Sequence, residues 1–427
     1  MNLSRLLARR LEKAGPIRVG LIGAGKFGSM FLAQIPTSPG FRIACIADLL
    51  PDRARAACRA VGWEEERVAA TVFTEDALTL TARPEIEIVV EATGQPAAGI
   101  RHARAAIAAG KHIVMVNVEA DALAGPLLAA EADAAGVVYS LAYGDQPALI
   151  CELFDWARAA GFRVLAAGKG TKYLPAYHAS TPETVWQYYG LTPAEAAIGG
   201  MNPKMFNSFL DGTKSAIEMV AVANATGLEA PGGGLGFPPA GVSELATVLG
   251  AATGQVEVVS SLQRNGEPVV NDLRWGVYIV FEAPGPYTAR CFAEYGIATD
   301  ATGTRAALWR PSHLIGLELG VSVASVVLRG EPTGAPERFR ADVIATAKKA
   351  LPAGAMLDGE GGAMVWGKLV PAEASLAARA LPIGLASALP LRRSIPAGQM
   401  LTWDDVVLDP TDEAYRFRRR MEAICAP

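Results

Sequence analysis

The stretch Arg18-Val-Gly-Leu-Ile-Gly-Ala-Gly-Lys-Phe-Gly-Ser29 decides the fold of this chain. Val19, Leu21 and Ile22 make an apolar run suited to a buried parallel strand. Gly23, Gly25 and Gly28 follow in GxGxxG spacing, with Lys26 and Phe27 between the last two, and an amphipathic segment starts near Ser29. The order strand, tight turn, helix gives each glycine a task. Gly23 turns sharply, Gly25 lets the backbone approach a pyrophosphate, and Gly28 lets helix and strand pack closely. The phosphates would then rest on unpaired amides at the positive end of the helix dipole. A second apolar run, Phe41-Arg-Ile-Ala-Cys-Ile-Ala47, ends at Asp48, about twenty residues after Gly28, where the dinucleotide fingerprint wants an acidic ribose ligand. The alternative is a glycine-rich turn in an ordinary α/β domain.

A carboxylate at Asp48 hydrogen-bonds a free ribose 2′-hydroxyl and repels a 2′-phosphate, which taken alone says NAD. Arg53 and Arg55 stand a few residues on, where a guanidinium can accept the extra phosphate of NADP. The alternative for both arginines is a solvated helix start after Pro51, and the choice between NAD and NADP stays open.

Outward from this stretch the chain alternates. The segment from Met1 to about residue 15 reads as a leading helix ended by Gly15-Pro16, not as a signal peptide, because basic residues run through its apolar positions. Pro51 to Val61 reads as a helix, Val72-Phe73 as a strand, and Ile86 to Ala92 as a strand running into Thr93-Gly94-Gln-Pro96, a break where ligands of open α/β sheets bind. A helix from about Ala97 reaches Gly110, Lys111 to Val116 is a strand ending at Asn117-Val-Glu-Ala-Asp121, and a helix from Ala122 to Ala135 and a strand Val137 to Ser140 follow. Strict alternation predicts an α/β protein whose amino-terminal part is a doubly wound parallel sheet, a Rossmann domain over 1–145 in which Thr93, Gly94 and Asn117 also face the cofactor. An α+β substrate and dimerisation domain is expected over 146–340 and a small β-rich domain over 341–427. Within the second, Pro147 to Ala160 reads as a helix, 174–200 as a lining loop, Pro203 to Thr226 as one helix, Ala230 to Pro239 as irregular, and Val277 to Phe281 and Ala289 to Phe292 as strands.

At 427 residues the chain is too long for one core, and 51% hydrophobic content suits a well-packed soluble protein. No apolar run approaches the roughly 20 residues of a membrane helix. A net charge of −4 with interspersed signs gives no footprint for nucleic acid. Five cysteines, none in CxxC spacing, indicate neither a disulfide framework nor a thiolate zinc site, and the cytoplasm follows as the default.

The candidate chemistry centres on Asn202 to Glu218. At about 100° per residue, Asn207, Asp211, Lys214 and Glu218 share one stripe while Phe206, Phe209, Ile217 and Val220 face away. A carboxylate beside an ammonium can orient a substrate hydroxyl and move its proton. The alternative is a solvated face carrying a Lys214–Glu218 pair. Lys169 and Lys172, flanking Gly170-Thr171 after a strand, suit an anion clamp, or simply a solvated turn. Glu119 at a strand end suits a proton carrier or metal ligand, or a helix amino-terminal carboxylate. His178 suits an acid, base or phosphate donor, or an exposed loop histidine. His102, His112 and His313 show no ligand spacing.

These residues carry a resemblance. The nucleotide domain followed by Asn117-Val-Glu-Ala-Asp121 resembles the homoserine dehydrogenase superfamily, whose corresponding strand end reads as an Asn-Lys pair, here without the lysine. The helix around Asp211 and Lys214 is similar to that family's Asp and Lys segment, with the lysine three residues after the aspartate instead of four. The carboxyl end from Ala380 to Val406, with Arg-Arg-Ser-Ile-Pro-Ala-Gly and Leu-Thr-Trp-Asp-Asp-Val406, resembles the SAF domain, a small β-clip module. Together, and with Lys26 to Ala33 and Gly168 to Pro182, the architecture resembles the deoxyxylulose-phosphate-reductoisomerase-like enzymes. The resemblance implies NAD(P)H-dependent reductive isomerisation of deoxyxylulose phosphate to methylerythritol phosphate in isoprenoid precursor synthesis, by a homodimer acting on a small phosphorylated or carboxylated molecule. In that chemistry Mg²⁺ or Mn²⁺ would sit on Glu119, Asp211 or Glu218, Lys169, Lys172 or Lys204 would hold the phosphate, and Lys214 would protonate the alkoxide. The alternatives are a homoserine-dehydrogenase-like dehydrogenase of an amino or sugar acid, which needs no metal, and a nucleotide-sensing module without turnover.

Overall fold

The computed structural model describes residues 2–426; Met1 and Pro427, the outer ends of the expected first and third domains, lie outside them. The chain divides into two compact units, one of residues up to Glu152 with His313–Glu337, the other of Leu153–Ser312 with residues from Arg338 on.

In the first unit, β1 (Ile17–Ile22), β2 (Phe41–Ala47), β3 (Val72–Thr74), β4 (Ile88–Glu91), β5 (His112–Met115) and β6 (Tyr139–Leu141) pair in the order β3-β2-β1-β4-β5-β6, every neighbour parallel. This is the doubly wound sheet that the alternation predicts, with the order reversing between β1 and β4, the place where such sheets bind ligands. β1 and β4 are buried on both faces, as strands covered by helices must be, and this is why they read as continuous apolar runs. Ile17, Val19, Leu21, Phe31, Ile46, Ile88 and Val114 form the core, joined by Leu319 and Val323 of the returning segment. Each such buried side chain contributes about 1.5–3 kcal/mol. The leading helix, Leu3–Ala14, ends at Gly15 with φ 76°, where the sequence places its stop.

The second unit opens on β7 (Arg163–Thr171), reached through the helix Gln146–Ala159. With β8 (Gln255–Ser260), β9 (Val277–Glu282) and β10 (Arg305–Arg310) it forms a mixed sheet of order β10-β9-β7-β8, parallel only between β7 and β8. β11 (Ala341–Ala347) pairs antiparallel with β13 (Val365–Pro371), and β12 (Met356–Asp358) with β14 (Ser387–Pro390), so the carboxyl-terminal region is rich in short strands. The helix Thr213–Thr226 packs against β7 and β8 and also against β11 and β13, and is buried along nearly its whole length. Arg418, fully buried on the helix Glu413–Ile424, grips Asp342 of β11 with both terminal nitrogens (2.5 and 3.2 Å) and Glu422 with Nε (2.9 Å).

Three local expectations are corrected. Ala289 to Phe292 is helical, inside Pro286–Glu294; Pro286 in the first turn outweighs four residues of apparent alternation. The stretch 174–200 is not one loop, since Pro175–Ala179 is a 3₁₀ turn and Val185–Tyr189 and Pro193–Ile198 are short helices, the last opened by a Thr192/Glu195 capping box. Pro203 to Thr226 is two helices, Pro203–Leu210 and Thr213–Thr226, parted at Asp211-Gly212. All five cysteines are free thiols. No helix among the described residues is long and apolar enough to cross a membrane.

Candidate functional site

The glycine turn in the first unit shows why its residues are small. Gly23 has φ 93°, and a Cβ there would stand 2.8 Å from the Ala92 carbonyl oxygen; a Cβ on Gly28 would stand 2.2 Å from that of Gly23. A Cβ on Gly25 would meet nothing within 4 Å, so the space beside it is open. Gly25 caps the helix Lys26–Gln34 and no side chain covers its first amides, which leaves them directed at an incoming anion. Lys26 is exposed and Phe27 half-buried. Asp48, at the end of β2, accepts from the amides of Ala24 and Leu50 (both 3.0 Å), tying the turn to the ribose side of the cradle. Arg53 is exposed, whereas Arg55 pairs with Asp52 (2.9 Å) and lies 4.7 Å over the Phe73 ring. At the end of β4, Thr93 donates to Glu91 Oε1 (2.5 Å), and Asn117 Nδ2 reaches the Gln95 carbonyl (3.0 Å) and Thr93 Oγ1 (3.3 Å) around Gly94, whose φ is 69°. These residues fit an NAD(P) pyrophosphate and ribose. Glu119 is not at a strand end: it lies in the first turn of the helix Val118–Ala134, which Asn117 caps by accepting from Ala120 N–H (3.1 Å).

In the second unit the break at Gly212 (φ 88°) regroups the predicted stripe. Asp211 Oδ1 caps the next helix by accepting from Thr213 N–H (2.9 Å), and its Oδ2 meets Lys348 Nζ at 2.7 Å. Both side chains are buried, Asp211 at 0% and Lys348 at 2% exposure. Lys348 also donates to the carbonyls of Ser180 and Gly362 (2.7 Å each). Burial drives the Asp211 carboxyl above its usual range, and the Lys348 ammonium draws it back down. Glu218 is paired with Lys169 of β7, an ion pair with both side chains nearly excluded from water. Lys214 is half-buried. Asn207 is a buried structural anchor, exchanging hydrogen bonds with Ser180 and donating to Gly361 O (3.0 Å).

The two remaining lysines hold backbone. Lys172 donates to the Tyr188 carbonyl, and burial, with Arg274 nearby, lowers its ammonium's affinity for protons. Lys204 is exposed and donates to Asp358 O (2.5 Å). His178 lies 3.9 Å from Trp366 in a stack; its Nδ1–H donates to the Asp211 carbonyl (2.7 Å), so its Nε2 accepts from Tyr173 O–H (2.9 Å). Burial lowers its pKa, which keeps the ring neutral with both nitrogens engaged. His178, Gly212, Ala216, Phe237, Trp366 and Lys368 are among the walls of a cavity of about 180 Å³. Lys348, Trp366 and Lys368 carry no local sequence signal, because only tertiary pairing brings β11 and β13 to the helix Thr213–Thr226.

Among the described residues no group of three or more His, Cys, Asp or Glu side chains is placed to hold a metal. Asp211 and Glu218 each face a lysine rather than one another. These carboxylates do not fit the Mg²⁺ or Mn²⁺ site that the resemblance implies.

No curated protein matches the chain in sequence. Among solved structures, scyllo-inositol dehydrogenase from Lactobacillus casei is 15% identical over 40% of this chain and 50% of its own, with a TM-score of 0.29; the chain thus spans about half the length of that protein. A probable dehydrogenase from Thermotoga maritima is 13% identical over 74% and 90% (TM-score 0.38), and a DOX-P reductoisomerase solved with magnesium is 16% identical over 50% and 58% (TM-score 0.35). Residues 17–116 match the NAD-binding Rossmann fold of the GFO/IDH/MocA oxidoreductase family, and residues 144–319 match the oxidoreductase DRL catalytic domain. Over these two segments, neither of which is half of the chain, the protein is similar to the Rossmann fold of GFO/IDH/MocA oxidoreductases and to the catalytic domain of oxidoreductase DRL.

Proposed function

We propose that the chain is an NAD(P)-dependent dehydrogenase of a small amino or sugar acid, in which Lys169, held by Glu218, moves the proton. The observation that carries this reading is the buried Lys169–Glu218 pair within the segment that matches an oxidoreductase catalytic domain. A dinucleotide held by Gly23 to Gly28 and Asp48 would supply hydride transfer to or from the substrate carbon. Oxidation of a hydroxyl also releases a proton, which the Lys169–Glu218 pair takes up; reduction runs the other way, with the pair returning a proton to the alkoxide oxygen through Lys169 Nζ. Glu218 fixes the position of that nitrogen, and Asp211 with Lys348 holds the turn from which the helix Thr213–Thr226 starts. No step is assigned to a metal.

The test follows nicotinamide absorbance with homoserine, sugar acids and deoxyxylulose phosphate, each with NAD(H) and NADP(H), with and without magnesium or manganese. Turnover of a hydroxy compound is expected, with Lys169→Met lowering kcat by about 10²- to 10⁴-fold at unchanged nucleotide affinity. Full activity in that variant would remove Lys169 from the mechanism, and tight nucleotide binding with no turnover would favour a sensing module. A second reading, reductive isomerisation of deoxyxylulose phosphate, has one observation in its favour: the matched segment 144–319 contains Gly168 to Pro182, part of the resemblance to the reductoisomerase-like enzymes. A rearranged product would establish it. Assembly as a homodimer belongs to the same proposal, and sedimentation as a single chain would remove it.

A further inference from the structure

Lys368 is the lysine of the second unit's cavity that lacks a partner. It is half-buried on β13, and among the described residues no hydrogen bond, ion pair or ring contact engages it, whereas Lys169, Lys172, Lys204 and Lys348 are all engaged. Its stem lies against Gly234, where φ is 90° and a Cβ would stand 2.9 Å from Lys368 Cε; the loop accommodates the lysine because that residue is glycine.

The cavity around it is walled by stacked rings and contains no acid. Trp366 and His178 form one wall as a stack 3.9 Å apart. Phe237 forms another, stacked on Tyr173 at 3.9 Å and held at φ 47°, a backbone conformation that costs a non-glycine residue about 1–3 kcal/mol and persists only where its surroundings enforce it. Glu257 enforces it by accepting from the amides of Gly236 (3.0 Å) and Phe237 (3.3 Å). None of the lining residues is a carboxylate, and Asp211, whose backbone carbonyl holds His178, already faces Lys348. At about 180 Å³ the space suits one end of a small molecule, since whole drug-sized ligands take about 300–1,000 Å³. A partly desolvated ammonium beside aromatic walls, with no counter-charge supplied by the protein, is matched by an anion brought from outside.

We propose that this cavity receives the anionic end of the substrate, a carboxylate or a phosphate, with Lys368 as its counter-charge and Trp366 and Phe237 against its carbon frame. The inference rests on the dehydrogenase reading and deepens it: the acid group of that substrate, or a phosphate in its place, is what Lys368 recognises.

Two measurements on the full chain separate the inference from the reading beneath it. In the first, inorganic phosphate and glycolate are titrated without nucleotide while tryptophan emission is recorded. A saturable change is expected that disappears in Trp366→Phe and in Lys368→Gln and survives in Lys368→Arg. In the second, steady-state kinetics compare each anionic substrate with its amide or dephosphorylated analogue. Lys368→Gln should raise KM for the anion by about 10- to 100-fold, the loss of one hydrogen bond to a charged group, with kcat little changed, the neutral analogue unaffected and Lys368→Arg restoring affinity. Phosphate should inhibit competitively with the anionic substrate; non-competitive inhibition would mark a separate regulatory anion and overturn the substrate assignment. An emission response unchanged in Lys368→Gln, meaning an adventitious ion only, would overturn the inference. So would turnover of anionic substrates with silent Lys368 variants, an outcome that leaves the dehydrogenase reading standing. Lys368-dependent anion binding with no nicotinamide turnover does the reverse, keeping the anion site and removing the dehydrogenase.

Discussion

The nucleotide cradle of the first unit is made of backbone from one short stretch, Gly23 to Gly28, with a single carboxylate from Asp48. The polar cluster of the second unit is made of side chains, drawn from Lys169, His178, Asp211, Glu218 and Lys348. The difference teaches where each is vulnerable. A backbone cradle is harmed by adding atoms, whereas a buried ion pair is harmed by removing them, because truncating either member strands a charge that water cannot reach.

The largest expected effect breaks the second kind of site. Lys348→Met leaves Asp211 buried without its ammonium and should cost about 3–5 kcal/mol of stability in urea denaturation; the double variant Lys348→Met/Asp211→Leu should recover much of this. A single variant within experimental error of the parent would show that the pair is not the constraint described. Next comes Gly28→Ala, which adds one carbon 2.2 Å from the Gly23 carbonyl. Calorimetry should show nucleotide affinity weakened by about tenfold or more, a loss of at least ~1.4 kcal/mol, while phosphate still quenches Trp366 emission; unchanged nucleotide affinity would argue against this turn as the pyrophosphate site. The smallest effect sharpens the cradle. Asp48→Asn replaces a charged acceptor by a neutral one, and the ratio of NAD to NADP affinity should fall by about fivefold, the gap between charged and neutral hydrogen bonds. An unaltered ratio would place the discrimination elsewhere, with exposed Arg53 the next residue to change.

The same contrast explains what could be read beforehand. The cradle was legible because its determinants are contiguous and its glycines are required by geometry that a local pattern encodes; the parallel sheet was legible because β1, β2, β4 and β5 are short apolar runs spaced by helices. Asp211, Glu218, Lys169 and His178 were visible as residue types in suggestive places, but their partners were not. Periodicity assumes an unbroken helix, and Gly212 breaks it, which separates Asp211 from the axis that carries Lys214 and Glu218. Lys348 meets Asp211 from 137 residues away, a distance over which no spacing rule operates. The carboxyl-terminal region, read as a separate small domain, falls in the same compact unit as Leu153–Ser312 and supplies Lys348, Trp366 and Lys368.

Arg418 has a consequence for how the protein is made. Asp342 emerges from the ribosome 76 residues before the guanidinium that neutralises it, with Ser375 Oγ, which donates to the same carboxylate at 2.6 Å, appearing in between. During that interval β11 must keep its acid in water, so the strand that presents Lys348 cannot settle early. Synthesis therefore delays completion of the second unit until the helix Glu413–Ile424 has been translated, and a chain cut short before it would expose an unfinished β11 to proteases.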